Sequence, residues 1–285
     1  MHQPPERLKH FFIITTDSKY KVLALDIDGT LARNNRTISD KTRQTLLQAQ
    51  QQGTRIVIAS GRPAFGIRPL ADELQLAQYG GFVLAYNGAE IYDWQSGEAL
   101  YQKPLSKDII PVIYGKCRTA GLDVMTYCGS EIVTESASNQ YIQLSSKRNG
   151  MKIRSVSSFL DGIDYPIFKC MIVGEPSQLA QFEPLLNSYL SGKAIAYRSE
   201  PFYLEVVPLG IDKASCLEVI LSHLSLTADS LIACGDGYND ISMIRFAGLG
   251  VAMENASEQV KKSADYITLS NEADGVAAVV RKFIL

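Results

Sequence analysis

Short apolar runs that end at polar turns recur in the first third and the last quarter of this sequence. They cover residues 22–25, 55–59, 81–85 and 231–234, with almost no charged side chain inside them. Runs of this length and composition are typical of strands buried on both faces of a parallel sheet. Where a helical pattern lies between two such runs, the expected unit is a right-handed strand–helix–strand crossover with parallel strands.

Two helical patterns support this interpretation. Residues 39–52 have an apolar side, and Ser39 suits the N-cap position while Gly53 suits the end of the helix. From Lys213 onward, apolar residues fall at i, i+3, i+4 and i+7, namely Leu217, Ile220, Leu221 and Leu224. The sequence therefore predicts an α/β fold, a Rossmann-like doubly wound and mainly parallel sheet, with its polar turns gathered at one sheet edge.

The middle of the chain has a different pattern. Between residues 90 and 208 the strands are shorter and alternate apolar and polar positions, with helical stretches at 106–120 and 177–190. This pattern predicts a small α+β domain whose sheet is covered on one face. We expect a disordered N-terminal extension at residues 1–20, a core domain formed by residues 21–88 and 209–285, and an inserted domain at residues 89–208.

Composition limits the function classes. The chain has 285 residues, 46% of them hydrophobic, which suits two packed domains. Its 28 basic and 30 acidic residues give a net charge of −2, which argues against a nucleic acid or a membrane surface as partner. Five widely spaced cysteines without a Cys-x-x-Cys pair indicate reduced thiols and a cytoplasmic location. None of the three histidines lies beside a motif, which argues against a histidine zinc site.

The first candidate site is the pair Asp26 and Asp28, which follows the apolar run at residues 22–25. Asp is a poor strand former and Gly29 favours a turn, so both acids are expected where the strand opens into a loop at the ligand-binding edge. Carboxylates held this close repel each other, and a divalent cation between them relieves the repulsion. Considered alone, an Asp-x-Asp pair also fits a metal-dependent glycosyltransferase or a solvated surface turn.

The longer segment Asp26-Ile27-Asp28-Gly29-Thr30-Leu31 resembles the first motif of the haloacid dehalogenase (HAD) superfamily of phosphotransferases. Three later segments are similar to its other motifs: Ser60-Gly61, Lys213, and Gly235-Asp236-Gly237-Tyr238-Asn239-Asp240. The turn Asn87-Gly88-Ala89 is similar to the one that precedes the inserted cap domain in the Cof-like, or type IIB, phosphatases. The resemblance extends from residue 21 to the last residue and is strongest in the core.

This resemblance implies a Mg²⁺-dependent phosphatase that hydrolyses small phosphorylated metabolites, such as sugar phosphates, through an aspartyl-phosphate intermediate. Asp26 would be the nucleophile, and Asp28 would be the general acid and base. Mg²⁺ would be held by Asp26, Asp236 and the backbone carbonyl of Asp28. Asp240 would orient a lysine or the metal waters without touching the substrate.

The resemblance also implies a set of phosphate and substrate contacts. Lys213 would be catalytic and would offset the charge of the phosphate. The other expected contacts to phosphate or substrate are Ser60, Gly61, Arg62, Asn87, Asn239 and the backbone near Ile27. In the inserted domain, the polar side chains to test for substrate contact are Tyr127, Arg148, Lys169 and Arg198.

Two other functions share parts of this pattern. A phosphomutase of the same superfamily would use the same nucleophile and acid, and would differ in domain contacts that the sequence does not reveal. A non-catalytic regulator would keep the fold and bind a metabolite, although Asp26, Lys213 and Asp236 all match the motifs of active members. In each case the expected partner is a small phosphorylated metabolite, and the expected state is a monomer or a weak homo-oligomer.

Overall fold

The computed structural model describes residues 18–190 and 192–285, so residues 1–17 of the predicted N-terminal extension lie outside the described part. The described residues form fourteen strands: β1 (Val22–Leu25), β2 (Arg55–Ala59), β3 (Phe82–Ala85), β4 (Glu90–Asp93), β5 (Ala99–Gln102), β6 (Asp123–Cys128), β7 (Glu131–Thr134), β8 (Lys152–Ser155), β9 (Cys170–Val173), β10 (Ala194–Glu200), β11 (Tyr203–Pro208), β12 (Leu231–Gly235), β13 (Leu249–Ala252) and β14 (Tyr266–Ile267).

Ten α-helices connect these strands within the described residues: α1 (Asp40–Gln51), α2 (Ala64–Glu73), α3 (Leu76–Tyr79), α4 (Ile109–Ala120), α5 (Gln140–Asn149), α6 (Pro176–Tyr189), α7 (Lys213–His223), α8 (Ile241–Phe246), α9 (Glu258–Lys261) and α10 (Gly275–Phe283). The predicted cap of the first helix is confirmed, because the Ser39 side chain accepts a hydrogen bond from the Thr42 N–H at 3.0 Å. No helix in this part of the chain is both long and apolar enough to cross a membrane.

The larger sheet has the strand order β14-β13-β12-β1-β2-β3-β4-β5. Pairing is parallel from β14 to β3, and β4 and β5 add an antiparallel edge. Strand β1 lies between β12 and β2, so Leu25 is level with both Cys234 and Ile58. The carboxyl ends of these three strands therefore meet at one edge, which is where open α/β sheets bind ligands.

Both faces of this sheet are covered by helices. Along β1, Leu23 and Leu25 belong to the apolar cluster that contains side chains of α1 and α10, whereas Val22 and Ala24 belong to the cluster with α7 and α8. All four β1 side chains are fully buried, and burying a leucine completely contributes about 2 kcal/mol to folding. The predicted doubly wound α/β fold is confirmed.

The smaller sheet has the order β10-β11-β9-β6-β7-β8 and is antiparallel except for the β7–β8 pair. Side chains of α4 and α6, such as Ile113 and Leu186, form one apolar cluster with Val124 on β6 and Ile172 on β9. The alternate residues Met125 and Tyr127 belong instead to the cluster of the larger sheet. Helices α4 and α6 thus cover one face of the smaller sheet. Its other face turns toward the larger sheet and also packs against Ile142 of α5.

The strand over residues 90–92, which the sequence pattern grouped with the inserted domain, has a different partner. In the structure β4 pairs with β3, with Leu84 opposite Ile91, and it therefore extends the larger sheet. The smaller sheet contains only strands from Asp123 to Pro208. The boundaries at residues 88 and 208 between the two domains stay a prediction. The smaller sheet with α4, α5 and α6 is called the cap, and the larger sheet with its helices is called the core.

Candidate active site

Three carboxylates converge at the carboxyl edge of the core sheet. Asp26 follows β1, Asp236 follows β12 and Asp240 precedes α8, and one oxygen from each lies within 4.8 Å of the others. Burial, followed by the charge of Asp240, raises the pKa of Asp26 from 3.8 to about 8. Burial raises the pKa of Asp236 to about 6. Since the negative charge of Asp240 disfavours ionisation of both Asp26 and Asp236, a divalent cation bound among the three carboxylates would relieve a repulsion that the fold itself creates.

Lys213 counters part of this negative charge. It is the first residue of α7 and is 1% exposed, and its Nζ donates hydrogen bonds to Asp26 Oδ1 at 2.7 Å and to Asp240 Oδ1 at 2.5 Å. Burial would lower the pKa of Lys213, but the carboxylates of Asp240 and Asp26 outweigh it and raise that pKa well above its ordinary value. A cation at a helix N-terminus opposes the helix dipole, and these two contacts explain why it lies there.

Asp240 holds the turn as well as the lysine. Its Oδ2 accepts hydrogen bonds from the backbone N–H groups of Asp236 at 3.0 Å and Gly237 at 2.9 Å, while its Oδ1 accepts from Lys213. The side chain is completely buried. Both oxygens are thus engaged with the protein, which suits a role in positioning Lys213 and Asp236.

Asp236 is oriented from the β1 side of the site. Its Oδ1 accepts a hydrogen bond from the Thr30 hydroxyl at 2.8 Å. Gly29 has φ +84°, and a Cβ at this position would lie 2.2 Å from Asp236 Oδ2. The carbonyl of Gly29 accepts a hydrogen bond from Asn255 Nδ2 at 2.8 Å. Thr30 belongs to the first motif segment, but the sequence gave no reason to assign these contacts to Thr30 or Asn255.

Asp28 lies outside the carboxylate cluster. Its side chain is 59% exposed, and it forms an ion pair with Arg62, whose Nε lies 2.9 Å from Asp28 Oδ2. The Asp26 side chain is only 11% exposed. Two acids separated by one residue therefore have opposite environments, because the Asp26 N–H still donates to Cys234 O on β12 at 3.1 Å, whereas Asp28 lies in the turn that follows.

Apart from Lys213 on α7, the predicted phosphate contacts lie on four loops at the same edge, after β1, β2, β3 and β12. Ser60, which follows β2, is 2% exposed, and its Oγ accepts a hydrogen bond from the Arg62 N–H at 3.2 Å. Asn239 Nδ2 donates to Asn87 Oδ1 at 3.2 Å, and Asn87 Nδ2 donates to the Tyr197 hydroxyl at 2.8 Å. Ile27 is fully buried, so only its backbone is available to a ligand.

A cavity of about 690 Å³ separates this edge from the cap. Its volume is within the range of small-molecule binding sites. The core contributes several of the predicted site residues to its wall, namely Asp26, Asp28, Ser60, Gly61, Arg62, Asn87 and Asn239. The cap contributes all four of the side chains selected for testing, Tyr127, Arg148, Lys169 and Arg198.

Comparison with known proteins identifies the family. A family model described as haloacid dehalogenase-like hydrolase matches residues 23–280. The chain belongs to this family. A solved haloacid dehalogenase-like hydrolase from Bacteroides thetaiotaomicron is 50% identical, with a TM-score of 0.90, and the match covers 92% of this chain and 99% of the other.

Two further members bear on the activity of this haloacid dehalogenase-like hydrolase. The solved HAD subclass IIB sugar phosphatase BT4131 is 25% identical, with a TM-score of 0.79 over 92% of this chain and 98% of the other. The 5-amino-6-(5-phospho-D-ribitylamino)uracil phosphatase of Bacillus subtilis strain 168 is 31% identical over 94% of this chain and 98% of that relative. The predictions of a Cof-like, type IIB member and of a phosphatase are both confirmed.

Proposed function

We propose that this haloacid dehalogenase-like phosphatase hydrolyses small phosphorylated metabolites, sugar phosphates or similar esters, through an aspartyl-phosphate on Asp26. The observation that carries the proposal is the environment of Asp26. Its carboxylate borders the cavity, is otherwise shielded from water, and accepts a hydrogen bond from Lys213. A desolvated carboxylate beside a fixed cation is suited to nucleophilic attack on phosphorus.

The reaction would proceed in two displacements. In the first, an oxygen of Asp26 attacks the phosphorus, the bond from phosphorus to the leaving oxygen breaks, and Asp28 donates a proton to that oxygen. In the second, water attacks the phosphorus of the aspartyl-phosphate, Asp28 takes a proton from this water, and the bond to Asp26 breaks to release inorganic phosphate. The unlike environments of Asp26 and Asp28 support this division of roles.

Several groups of the chain would contact the phosphoryl oxygens. Lys213 supplies a fixed positive charge beside Asp26, and an ammonium has a third N–H besides the two that bind carboxylates. The Ser60 hydroxyl and the Asn239 amide supply neutral donors from the cavity wall. Catalysis of phosphoryl transfer depends mainly on such positioning and charge stabilisation.

The donor set fits Mg²⁺, because hard divalent cations prefer carboxylate and carbonyl oxygens. Asp26, Asp236 and the backbone carbonyl of Asp28 would hold the ion, and Thr30 and Asp240 would keep these ligands in place. When bound, Mg²⁺ supplies positive charge that offsets the negative charge of the phosphate and of the carboxylates.

The type of substrate is supported by the cavity and by the relatives. One relative is described as a sugar phosphatase and another as a phosphatase of a phosphoribitylamino-uracil, so both act on phosphate esters that carry several hydroxyl groups. The cavity wall of this chain combines tyrosine hydroxyls with carboxylate and guanidinium groups, as in Tyr127, Tyr197, Glu200 and Arg148. Such groups bind hydroxyls by hydrogen bonds.

The proposal is tested by phosphate release from a panel of sugar phosphates, nucleotides and p-nitrophenyl phosphate. Wild type is compared with and without EDTA, and with the variant Asp26→Asn, which keeps the side-chain shape but not the nucleophile. We expect release that requires Mg²⁺ and is abolished in the variant. Isomerised phosphate ester without free phosphate would instead indicate a mutase, and folded, Mg²⁺-bound protein without turnover would contradict an enzyme of this type.

A further inference from the structure

Lys169, the residue before β9, connects the cap to the phosphate-contacting loop of the core. Its side chain is 3% exposed, and its Nζ donates a hydrogen bond to the Gly61 carbonyl at 2.8 Å. The same ammonium donates to Glu205 Oε1 on β11 at 3.2 Å, and Glu205 is 6% exposed. The pair Lys169–Glu205 belongs entirely to the cap, so the contact with Gly61 is the one that crosses to the core.

A buried ion pair is costly to desolvate, and an apolar pair of similar volume in its place would often be as stable. Its presence on the cavity wall is therefore not explained by stability alone. The ammonium lies 5.5 Å from the ring centre of Tyr127 in the cap and 5.9 Å from that of Tyr86 in the core. These two rings and the two hydrogen bonds fix the Nζ atom at the junction of the two domains.

The Gly61–Arg62 peptide group is held at both ends. Its carbonyl oxygen accepts from Lys169, and its N–H donates to Ser60 Oγ at 3.2 Å. The carbonyls on either side are held by the core, since the Asn87 N–H donates to Ser60 O at 2.9 Å and the Tyr86 N–H donates to Arg62 O at 3.0 Å. Only the central carbonyl of this loop is thus fixed by the cap.

The orientation of this peptide determines what Ser60 is able to do. Because Ser60 Oγ accepts from the Arg62 N–H, its own hydroxyl proton is left for a ligand in the cavity. Rotation of this peptide would move the Arg62 N–H away from Ser60 Oγ, and the Ser60 side chain would then be free to adopt other rotamers. The contact made by Lys169 therefore acts on Ser60 through one rigid peptide plane.

We infer that Lys169 is a positioning residue for the reaction, which orients the Ser60–Arg62 loop so that the phosphate contacts are complete only when the cap is docked. This inference rests on the proposed function, because it assigns the loop to the phosphate. Glu205 holds the ammonium in place. The Tyr197 hydroxyl connects the same carboxylate to the loop of Asn87, because it donates to Glu205 Oε2 at 3.3 Å and accepts from Asn87 Nδ2 at 2.8 Å.

The test compares Lys169→Met with the double variant Lys169→Met/Glu205→Gln. The single variant leaves a buried carboxylate without its cation, whereas the double variant removes both charges and keeps similar side-chain volumes. The matched control is Lys193→Met, which breaks the exposed cap ion pair with Asp108. Two quantities are measured: hydrogen–deuterium exchange of the segments 58–66 and 84–90 without substrate, and kcat and KM for phosphate release.

We expect the double variant to keep the melting temperature of the wild type and to exchange its loop amides roughly tenfold faster. Its kcat should fall by roughly tenfold to a hundredfold, the size of effect that a small misplacement of reacting groups produces, while KM changes little. The Lys193→Met control should match the wild type in both measurements. Slow exchange and normal kcat in the double variant would overturn the inference, because Lys169 would then only balance the charge of Glu205.

The exchange measurement separates this inference from the proposed function. If no ester is hydrolysed by the wild type, but the loop of the double variant exchanges faster, the docking contact is supported and the proposed reaction fails. If phosphate is released normally by all variants with unchanged exchange, the proposed reaction is supported and the role of Lys169 fails.

Discussion

At the scale of single residues, the site depends on the contrast between Asp26 and Asp28. Asp26 is buried beside Lys213, whereas Asp28 is largely exposed and contacts Arg62 at the cavity wall. A nucleophile must be ionised and desolvated, while a general acid and base must exchange its proton freely. We propose that the two positions meet these conditions with the same side chain, Asp26 once a bound Mg²⁺ offsets the burial and the neighbouring charge that raise its pKa to about 8.

Replacing Asp28 by Asn should slow hydrolysis most for esters whose leaving group needs a proton. Loss of a general acid typically costs a factor of roughly 10² to 10⁴, so kcat/KM for an alkyl phosphate such as a sugar phosphate should fall by that amount, because kcat/KM reports the first displacement, in which the leaving oxygen is protonated. The loss should be smaller for p-nitrophenyl phosphate, because p-nitrophenolate leaves without a proton. Steady-state kinetics on both esters measure this difference.

The control for this prediction is Asp40→Asn, which removes an exposed acid from the first turn of α1. It should leave both rates unchanged. An equal loss of kcat/KM on both esters in Asp28→Asn would argue that Asp28 acts on binding or folding and not as the acid.

Sequence patterns and the family resemblance named candidate residues for the core site, and in the cap they selected Lys169 only as one of four polar side chains to test for substrate contact. Lys213 precedes a clear apolar stripe and matches a motif, so its position was predictable before its two carboxylate contacts were seen. Lys169 and Arg198 are both charged residues in the cap region, and the sequence treats them alike. Lys169 contacts a carbonyl 108 residues away, while Arg198 pairs with Glu183 within the cap. Only tertiary structure distinguishes them.

At the scale of elements, the turns that follow the parallel strands place the carboxylates. Gly29 turns the chain after β1 with φ +84°, and the carboxylate of Asp236 fills the space where a Cβ would be. The turn and the proposed metal ligand Asp236 are therefore packed against each other, and a side chain at position 29 would displace the carboxylate.

Gly29→Ala should weaken the metal site. A left-handed conformation costs a non-glycine residue roughly 1–2 kcal/mol, and the added methyl group would also displace Asp236. The matched control is Gly97→Ala, which has a similar φ of +75° and nothing within 4 Å of an added Cβ.

Both variants should lose similar stability from the backbone, but only Gly29→Ala should lose Mg²⁺ affinity and activity, by roughly tenfold or more. Calorimetric titration of Mg²⁺ and phosphate release measure the two effects. Equal Mg²⁺ affinity in both variants would contradict the packing of Gly29 against a metal ligand.

The edge of the core sheet illustrates what element patterns leave open. Strand β4 is short and has Ile91 and Tyr92 between two acidic residues, and this pattern fits either sheet. Its pairing with β3 follows from the tight turn through Asn87 and Gly88, where Asn87 adopts φ 58° and Gly88 φ 107°. The sequence predicted a turn at these residues, but it did not predict which sheet the following strand joins.

At the scale of the whole molecule, core and cap enclose the cavity between them. We expect the carboxylate cluster to make the free energy of unfolding depend on pH and on Mg²⁺. Asp26 and Asp236 have pKa values raised from 3.8 to about 8 and about 6. Groups with raised pKa values favour folding when protonated, so their contribution is present below about pH 4 and is lost as the pH rises through about 6 and then about 8.

In EDTA, ionisation of Asp26 and Asp236 should therefore lower the melting temperature as the pH rises over this range. Mg²⁺ at about a hundred times its Kd stabilises the folded state by about 2.7 kcal/mol, which corresponds to a rise of roughly 5–10 °C. The rise should be larger near about pH 8 than near about pH 5, because protons compete with the metal at low pH. Thermal unfolding with and without Mg²⁺ at both pH values measures it.

Asp236→Asn serves as the control, since it removes one carboxylate of the cluster and should lose most of the Mg²⁺-dependent rise. A rise of equal size at both pH values, or one that persists in this variant, would place the metal elsewhere.

The central claim is that Asp26 becomes phosphorylated during turnover, and acid quenching followed by mass spectrometry tests it most directly. Wild-type enzyme is mixed with substrate and Mg²⁺, quenched within one turnover and digested, and the peptide that contains Asp26 is analysed. We predict a phosphoryl group on Asp26 that disappears as phosphate is released and is never formed by Asp26→Asn. Phosphate release without any phosphorylated peptide, or a phosphoryl group on another residue, would contradict this claim.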